Sequence, residues 1–171
     1  SFFYTPREHE PLIARVRDLH DSATPSGNSL AVTALLRLGR LTGRSDLMGK
    51  AESTLRSFAG VMAQAPRAVG QMLIALDFTQ HHPIEVVIAP ATNQGAAKET
   101  GQALRIVREV FLPNKVVALS PGPTDVQRDG SKPNLRDANA AMTRLVPLVA
   151  DKIAVGGQVT VYVCENYACQ S

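Results

Sequence analysis

The chain has 171 residues, enough for one domain or two very small ones. Its 18 Lys and Arg against 15 Asp and Glu leave a net charge of +3, too balanced to argue for a nucleic-acid surface. At 44% hydrophobic and 19% charged, the composition excludes disorder over most of the length, and no apolar run approaches the roughly 18 residues of a membrane span. Residue 1 is Ser, and Phe2, Phe3 and Tyr4 follow with no basic stretch or signal-peptide core. Three aromatic side chains ahead of any element that could cover them read as a chain cut from something larger.

In chain order, the first half carries a helical period. Leu30, Ala31, Ala34, Leu35, Leu38 and Leu41 recur at three- and four-residue steps, predicting a helix with that face inward. Ser26 or Asn28 caps its start and Gly43 takes the left-handed position after its end. A second helix is predicted from about Asp46 to Gln64, with Leu47, Ala51, Leu55, Phe58, Ala59 and Met62 on one face. A third starts at Pro66 and buries Val69, Met72, Leu73, Leu76 and Phe78. The short connections predict antiparallel hairpins.

After His81-His82-Pro83 the period changes. Ile84 to Ala89 reads as a buried strand and Gln94 to Phe111 as a helix with Ala97, Leu104, Val107 and Phe111 aligned. Lys115 to Leu119 reads as a second buried strand. Strand, helix and strand with short joints make a βαβ unit with parallel strands. Ser120 to Asn134 is rich in Pro and Gly and reads as a loop. A helix follows from Asp137 to about Val149, with Ala138, Ala141, Met142 and Leu145 inward and Pro147 ending or kinking it. Gln158 to Val163 alternates and closes as a third strand at the sheet edge. The expected fold class is mixed α/β: helical hairpins over 1–82, then a small βαβ module with a third strand over 83–171.

Asp21-Ser22-Ala23-Thr24-Pro25-Ser26-Gly27-Asn28-Ser29 is a run of small residues and side-chain acceptors that suits a turn and a helix N-cap. With Arg15, Arg17, Asp18 and His20 just upstream, it also brings hydroxyls, an amide and both charges to a helix N-terminus. That mixture suits a sugar-like or polyol ligand. His81-His82 reads as a structural joint at a helix C-terminus. Asn93 and Gly95 open a helix after a strand, but G-x-G-x-x-G and a Walker lysine are both missing. The scattered histidines, at 9, 20, 81 and 82, have no metal-site spacing.

The two cysteines, Cys164 and Cys169, are too few for a disulfide framework, so a reducing, cytoplasmic setting is the default. Their C-x4-C spacing leaves inert thiols, a disulfide or redox pair, and a metal role all open.

The run Arg15 to Ser29, with its D-x-A-x-P-S-G-N-S pattern, resembles a segment of the large thioredoxin-domain proteins named after spermatogenesis-associated members. Ala65-Pro66 through Asp77-Phe78, Phe111-Leu112-Pro113-Asn114-Lys115, and Tyr162 through Gln170 are similar to that family in the same order. The resemblance implies a thioredoxin-like domain followed by an α/α toroid of the six-hairpin glycosidase class. This chain would supply the toroid's last part, and its C-terminal cysteines would be the family's C-terminal cysteine segment.

The missing thioredoxin-like and toroid parts would then be partners of the chain. The Asp21–Ser29 segment would become part of a pocket wall, with Arg17, Asp21, Ser26 and Asn28 binding the ligand and Asp21 the candidate catalytic acid. A glycosidase needs a second carboxylate, for which Glu8, Glu10 and Asp18 are candidates. The parent would be a carbohydrate-processing enzyme, glycosidase- or epimerase-like, or a redox enzyme, and the isolated chain inactive. The alternative is a non-catalytic docking or redox-interaction module for the thioredoxin-like domain, using Cys164 and Cys169. No cofactor or metal, no nucleic acid and no membrane is expected. Exposed helix faces are expected to drive self-association.

Overall fold

The computed structural model describes residues 2–6, 8, 13, 15–91, 95–121 and 135–170. Among the described residues the fold is mixed α/β, with five α-helices and a four-stranded mixed sheet. It divides into two compact units, residues 1–40 with 44–81, and residues 41–43 with 82–171.

The first unit is helical. Helix α1 spans Gly27–Thr42 and α2 spans Ser45–Gln64; a 3-10 turn at Pro66–Ala68 precedes α3, Gly70–Gln80. Its core is Val32, Leu36, Ala51, Leu55, Phe58, Met62, Val69, Met72, Ala75 and Phe78. Fully burying a side chain of the size of Phe58 or Met72 contributes roughly 1.5–3 kcal/mol. Gly39 lets α1 approach α2: a Cβ there would lie 2.7 Å from Met48 Cγ and 3.2 Å from the Arg44 carbonyl oxygen. Gly43 has φ +66°, as the left-handed position after a helix asks.

Two expectations for this unit need correction. In α1 the inward face is Asn28, Ser29, Val32, Leu36 and Gly39, whereas Leu30 and Leu38 are each 50% exposed. Leucines surround this helix, so period alone could not choose a face; a small residue and polar anchors at Asn28 and Ser29 chose it. The helix expected from Pro66 is broken at Val69, which has φ −139° and ψ 38°, and restarts at Gly70. The break coincides with two tertiary hydrogen bonds to the neighbouring backbone, described below.

The second unit is the sheet. Strand β1 (Ile84–Ala89) leads through α4 (Ala96–Glu109) to β2 (Lys115–Leu119), and the two strands pair in parallel as a βαβ unit requires. Lys115 Nζ donates to the carbonyls of Val110, at 2.7 Å, and Val107, satisfying orphan carbonyls at the C-terminus of α4. Helix α5 (Leu135–Leu145) and a 3-10 turn at Pro147–Val149 follow, then β3 (Thr160–Glu165) and β4 (Ala168–Gln170). The strand order is β2-β1-β3-β4, with β3 antiparallel to both of its neighbours.

The last strand expected, at the sheet edge, is therefore interior, and the sheet has a fourth strand, β4, that the alternation did not reveal. Three residues are too few for a periodic signal. The expected alignment of α4 also fails at its ends. Phe111 lies beyond the helix and is 89% exposed, and Ala97 is exposed while Leu104 and Val107 are half-buried. In α5, Ala141, Met142 and Leu145 are exposed rather than inward. Val149 and Leu148, in the turn after Pro147, are buried instead and pack on β1 and β2. Pro147 ends α5, and the next two side chains reach the sheet; the side chain of Ala138, also expected inward, lies outside the described residues.

Candidate functional site

The Asp21–Ser29 segment is built by hydrogen bonds that converge on one carboxylate. Ser26 stands at the N-cap of α1, where its Oγ accepts the Ser29 N–H at 3.2 Å. Asp21 Oδ1 accepts the Ser26 N–H at 2.8 Å and the Ser29 hydroxyl at 3.1 Å. Asp21 Oδ2 accepts the Gln71 N–H at 2.8 Å, in the first turn of α3. The Asp21 N–H donates to the Ala68 carbonyl at 2.7 Å, just before the break at Val69. Asp21 thus joins the N-termini of α1 and α3, where backbone N–H groups lack partners and a negative charge is favoured. Burial acts to raise the carboxyl pKa, but the donors from Ser26, Gln71 and Ser29 outweigh it and hold the pKa below the usual carboxylate value.

Asn28 joins a second set of groups. Its Oδ1 accepts the Phe2 N–H at 2.7 Å, and its Nδ2 donates to the Phe2 carbonyl at 3.0 Å and the Asp18 carbonyl at 3.3 Å. The Tyr4 N–H donates to the Val16 carbonyl at 3.1 Å, and the Tyr4 hydroxyl to the Asp18 carboxylate. The Arg15 and Arg17 guanidinium carbons lie 4.4 and 5.8 Å from the centre of the Phe3 ring, within cation–π range.

Between these groups lies an open groove of about 130 Å³, lined by Phe2, Phe3, Tyr4, Arg17, Asp18, Gly27 and Asn28. Of the four residues expected to bind ligand, Arg17 and Asn28 line this groove, while Asp21 and Ser26 tie α1 to its surroundings. Asp18 lies in the groove wall as well. Glu8 is exposed and Glu10 lies outside the described residues, as does Asn93 of the strand–helix joint.

In the second unit Cys164 and Cys169 form a disulfide across the β3–β4 pair, where they are direct register partners. The hairpin turn between the strands is Asn166 and Tyr167, with φ of 51° and 63°, the pattern of a type I′ turn. Glu85, on β1, is fully buried and its Oε2 accepts the Tyr167 N–H at 3.1 Å. Glu85 was missed in the sequence reading, although an acid inside the β-branched run Ile84 to Ala89 is a visible departure from a buried strand. The aromatic contacts of Phe2 and Phe3 had no comparable signal, because they depend on where the chain returns. Among the described residues no group of three or more His, Cys, Asp or Glu could hold a metal ion. No helix among them is long and apolar enough to cross a membrane.

No model of a protein family matches the chain, and no solved structure matches it. Three curated proteins do. Human spermatogenesis-associated protein 20 is 33% identical over 155 residues, covering 91% of this chain and 18% of the human protein. The rat protein of the same name is also 33% identical, and the mouse protein 32%, over the same shares. The chain therefore spans less than a fifth of the length of these relatives. Over the stretch it does span, the chain is a homologue of spermatogenesis-associated protein 20.

Proposed function

We propose that this chain is the C-terminal part of a longer, cytoplasmic protein in which it supplies one polar wall of a pocket for a sugar-like ligand. The observation that carries this reading is the groove at the start of α1. An aromatic ring (Phe3), a guanidinium (Arg17) and a carboxylate (Asp18) meet beside a helix N-terminus, held in place by the buried Asn28 amide. An aromatic face suits the C–H face of a sugar ring, and charged groups suit its hydroxyls. At about 130 Å³ the groove is well below the roughly 300–1,000 Å³ of a site that encloses a small ligand, so it fits the role of one wall.

In this reading the rest of the pocket comes from a toroid of helical hairpins in the preceding part of the chain. The commitment of Asp21 to two helix N-termini fits a scaffold role better than acid catalysis. Catalytic chemistry would then fall to residues elsewhere in the longer protein, since a fold alone does not decide it. The test is thermal unfolding of the full-length protein against a panel of neutral sugars and polyols. A dose-dependent rise in Tm for one class supports the reading; no saturable rise with any of them rejects it.

The Cys164–Cys169 disulfide favours a second reading, in which the α/β unit is a docking or redox-interaction module for a thioredoxin-like domain. Binding of that domain to this chain in trans would support it, and failure to bind would remove it.

A further inference from the structure

The register of the sheet sets Glu85, Cys164 and Cys169 in one row across three strands, β1, β3 and β4. Residues directly opposite in antiparallel strands share a face, with Cβ atoms roughly 4.5–5.5 Å apart. The Glu85 side chain and the two sulfurs therefore stand on the same side of the sheet. Glu85 and Cys164 are 0% and 1% exposed, whereas Cys169, on the outermost strand, is only half-buried. The same carboxyl group accepts the N–H of Tyr167, inside the loop that the disulfide closes. Cys169 is thus partly exposed, Cys164 is hidden, and a buried carboxyl group stands in register beside Cys164.

We propose that the β3–β4 hairpin is a thiol–disulfide exchange site for a dithiol, with Cys169 the attacked sulfur, Cys164 the leaving sulfur and Glu85 the group that exchanges a proton with Cys164. The proposal rests on the redox reading of these cysteines but needs no docked domain, and it is independent of the groove at α1. A thiolate of the dithiol attacks Cys169 Sγ, forming a mixed disulfide and breaking the Cys164–Cys169 bond. The bonding electron pair leaves on Cys164 Sγ, which takes up a proton that Glu85 relays from water, the carboxyl group ending in the state in which it began. The second thiolate of the dithiol then attacks its own sulfur in the mixed disulfide and releases Cys169 as a thiolate, which takes a proton from water. The dithiol ends as a disulfide, oxidised by two electrons, and the hairpin ends as two thiols. The reverse sequence, with Glu85 accepting the Cys164 proton, reoxidises it.

The test uses the full chain, folded, with dithiothreitol as the dithiol, acid quenching and thiol counting by mass after alkylation. Glu85→Gln keeps an oxygen to accept the Tyr167 N–H but cannot exchange a proton. It is expected to slow reduction by about tenfold or more, with wild type and variant reduced at equal rates in urea. A folded wild-type disulfide that dithiothreitol leaves intact overturns the exchange site, and equal rates in the folded proteins overturn the role of Glu85. The direction of attack is checked in two further variants, which do not depend on Glu85→Gln folding. The Cys169 thiol of Cys164→Ser should alkylate at least about tenfold faster than the Cys164 thiol of Cys169→Ser. Equal rates would overturn the assignment of Cys169 as the attacked sulfur. Failure of a thioredoxin-like domain to bind in trans would remove the docking reading and leave these rates unchanged.

Discussion

Replacing Asp21 with Asn separates a scaffold carboxylate from a ligand-binding one. The wild-type side chain takes three donors on two oxygens: Ser26 N–H and Ser29 Oγ–H on Oδ1, and Gln71 N–H on Oδ2. Asn keeps one acceptor oxygen, so its amide nitrogen must face a donor of α1 or of α3. Hydrogen bonds to a charged partner contribute roughly 1.5–3 kcal/mol each, and a donor left unpaired costs about 1–3 kcal/mol. The expected loss is about 2–3 kcal/mol at pH 7, read as a lower urea midpoint of the helical unit.

The pH dependence has a definite sign. The folded carboxyl pKa lies below its ordinary value of 3.8, so its contribution is complete above that value and disappears as pH falls through the lower, folded value. Wild type and Asp21→Asn should therefore converge in stability as the solution becomes more acidic than this range. A difference below about 0.5 kcal/mol at pH 7, or one that persists unchanged in acid, would refute the scaffold role.

Three further predictions concern the same helices. Ser26→Ala removes the cap of α1 and should cost about 1 kcal/mol in urea unfolding. Gly39→Val forces a side chain against Met48 and the Arg44 carbonyl, with an expected loss of about 1–3 kcal/mol despite the removal of a helical glycine. Leu30 and Leu38 leave an apolar stripe on α1 uncovered among the described residues, so the isolated chain should associate at high concentration. Sedimentation would show this, and Leu30→Gln with Leu38→Gln should reduce it.

The sequence was most legible where a period had only one solution. The face of α2 was readable at Ala51, Leu55, Phe58 and Met62, though Leu47 is only half-buried and Ala59 exposed, and the parallel pairing of β1 with β2 was readable from strand, helix and strand with short joints. In α1, Leu30 and Leu38 compete with Val32 and Leu36, and only tertiary bonds at Asn28 and Ser29 decide between the two faces. Pro147 was readable as a break, but not as the device that puts Leu148 and Val149 under the sheet. The candidate groove was half legible. Arg17 and Asn28 stood in a recognisable polar segment, whereas their neighbours Phe2, Phe3 and Tyr4 lie 13 or more residues earlier in the sequence. The pairing of Cys164 with Cys169 depended on a three-residue strand that no pattern announced.

The central claim is that the groove at the start of α1 binds a sugar-like ligand as part of a larger pocket, and calorimetric titration of the full-length protein tests it most directly. The sugar that best raises Tm is titrated into wild type and into Arg17→Ala, a change at the groove wall that leaves the Asp21 and Ser26 bonds intact. Saturable binding by wild type, weakened about tenfold or more in Arg17→Ala, is the expected result, since a charged hydrogen bond is worth roughly 1.5–3 kcal/mol. Equal affinity in the two proteins, or no binding by either, would contradict it.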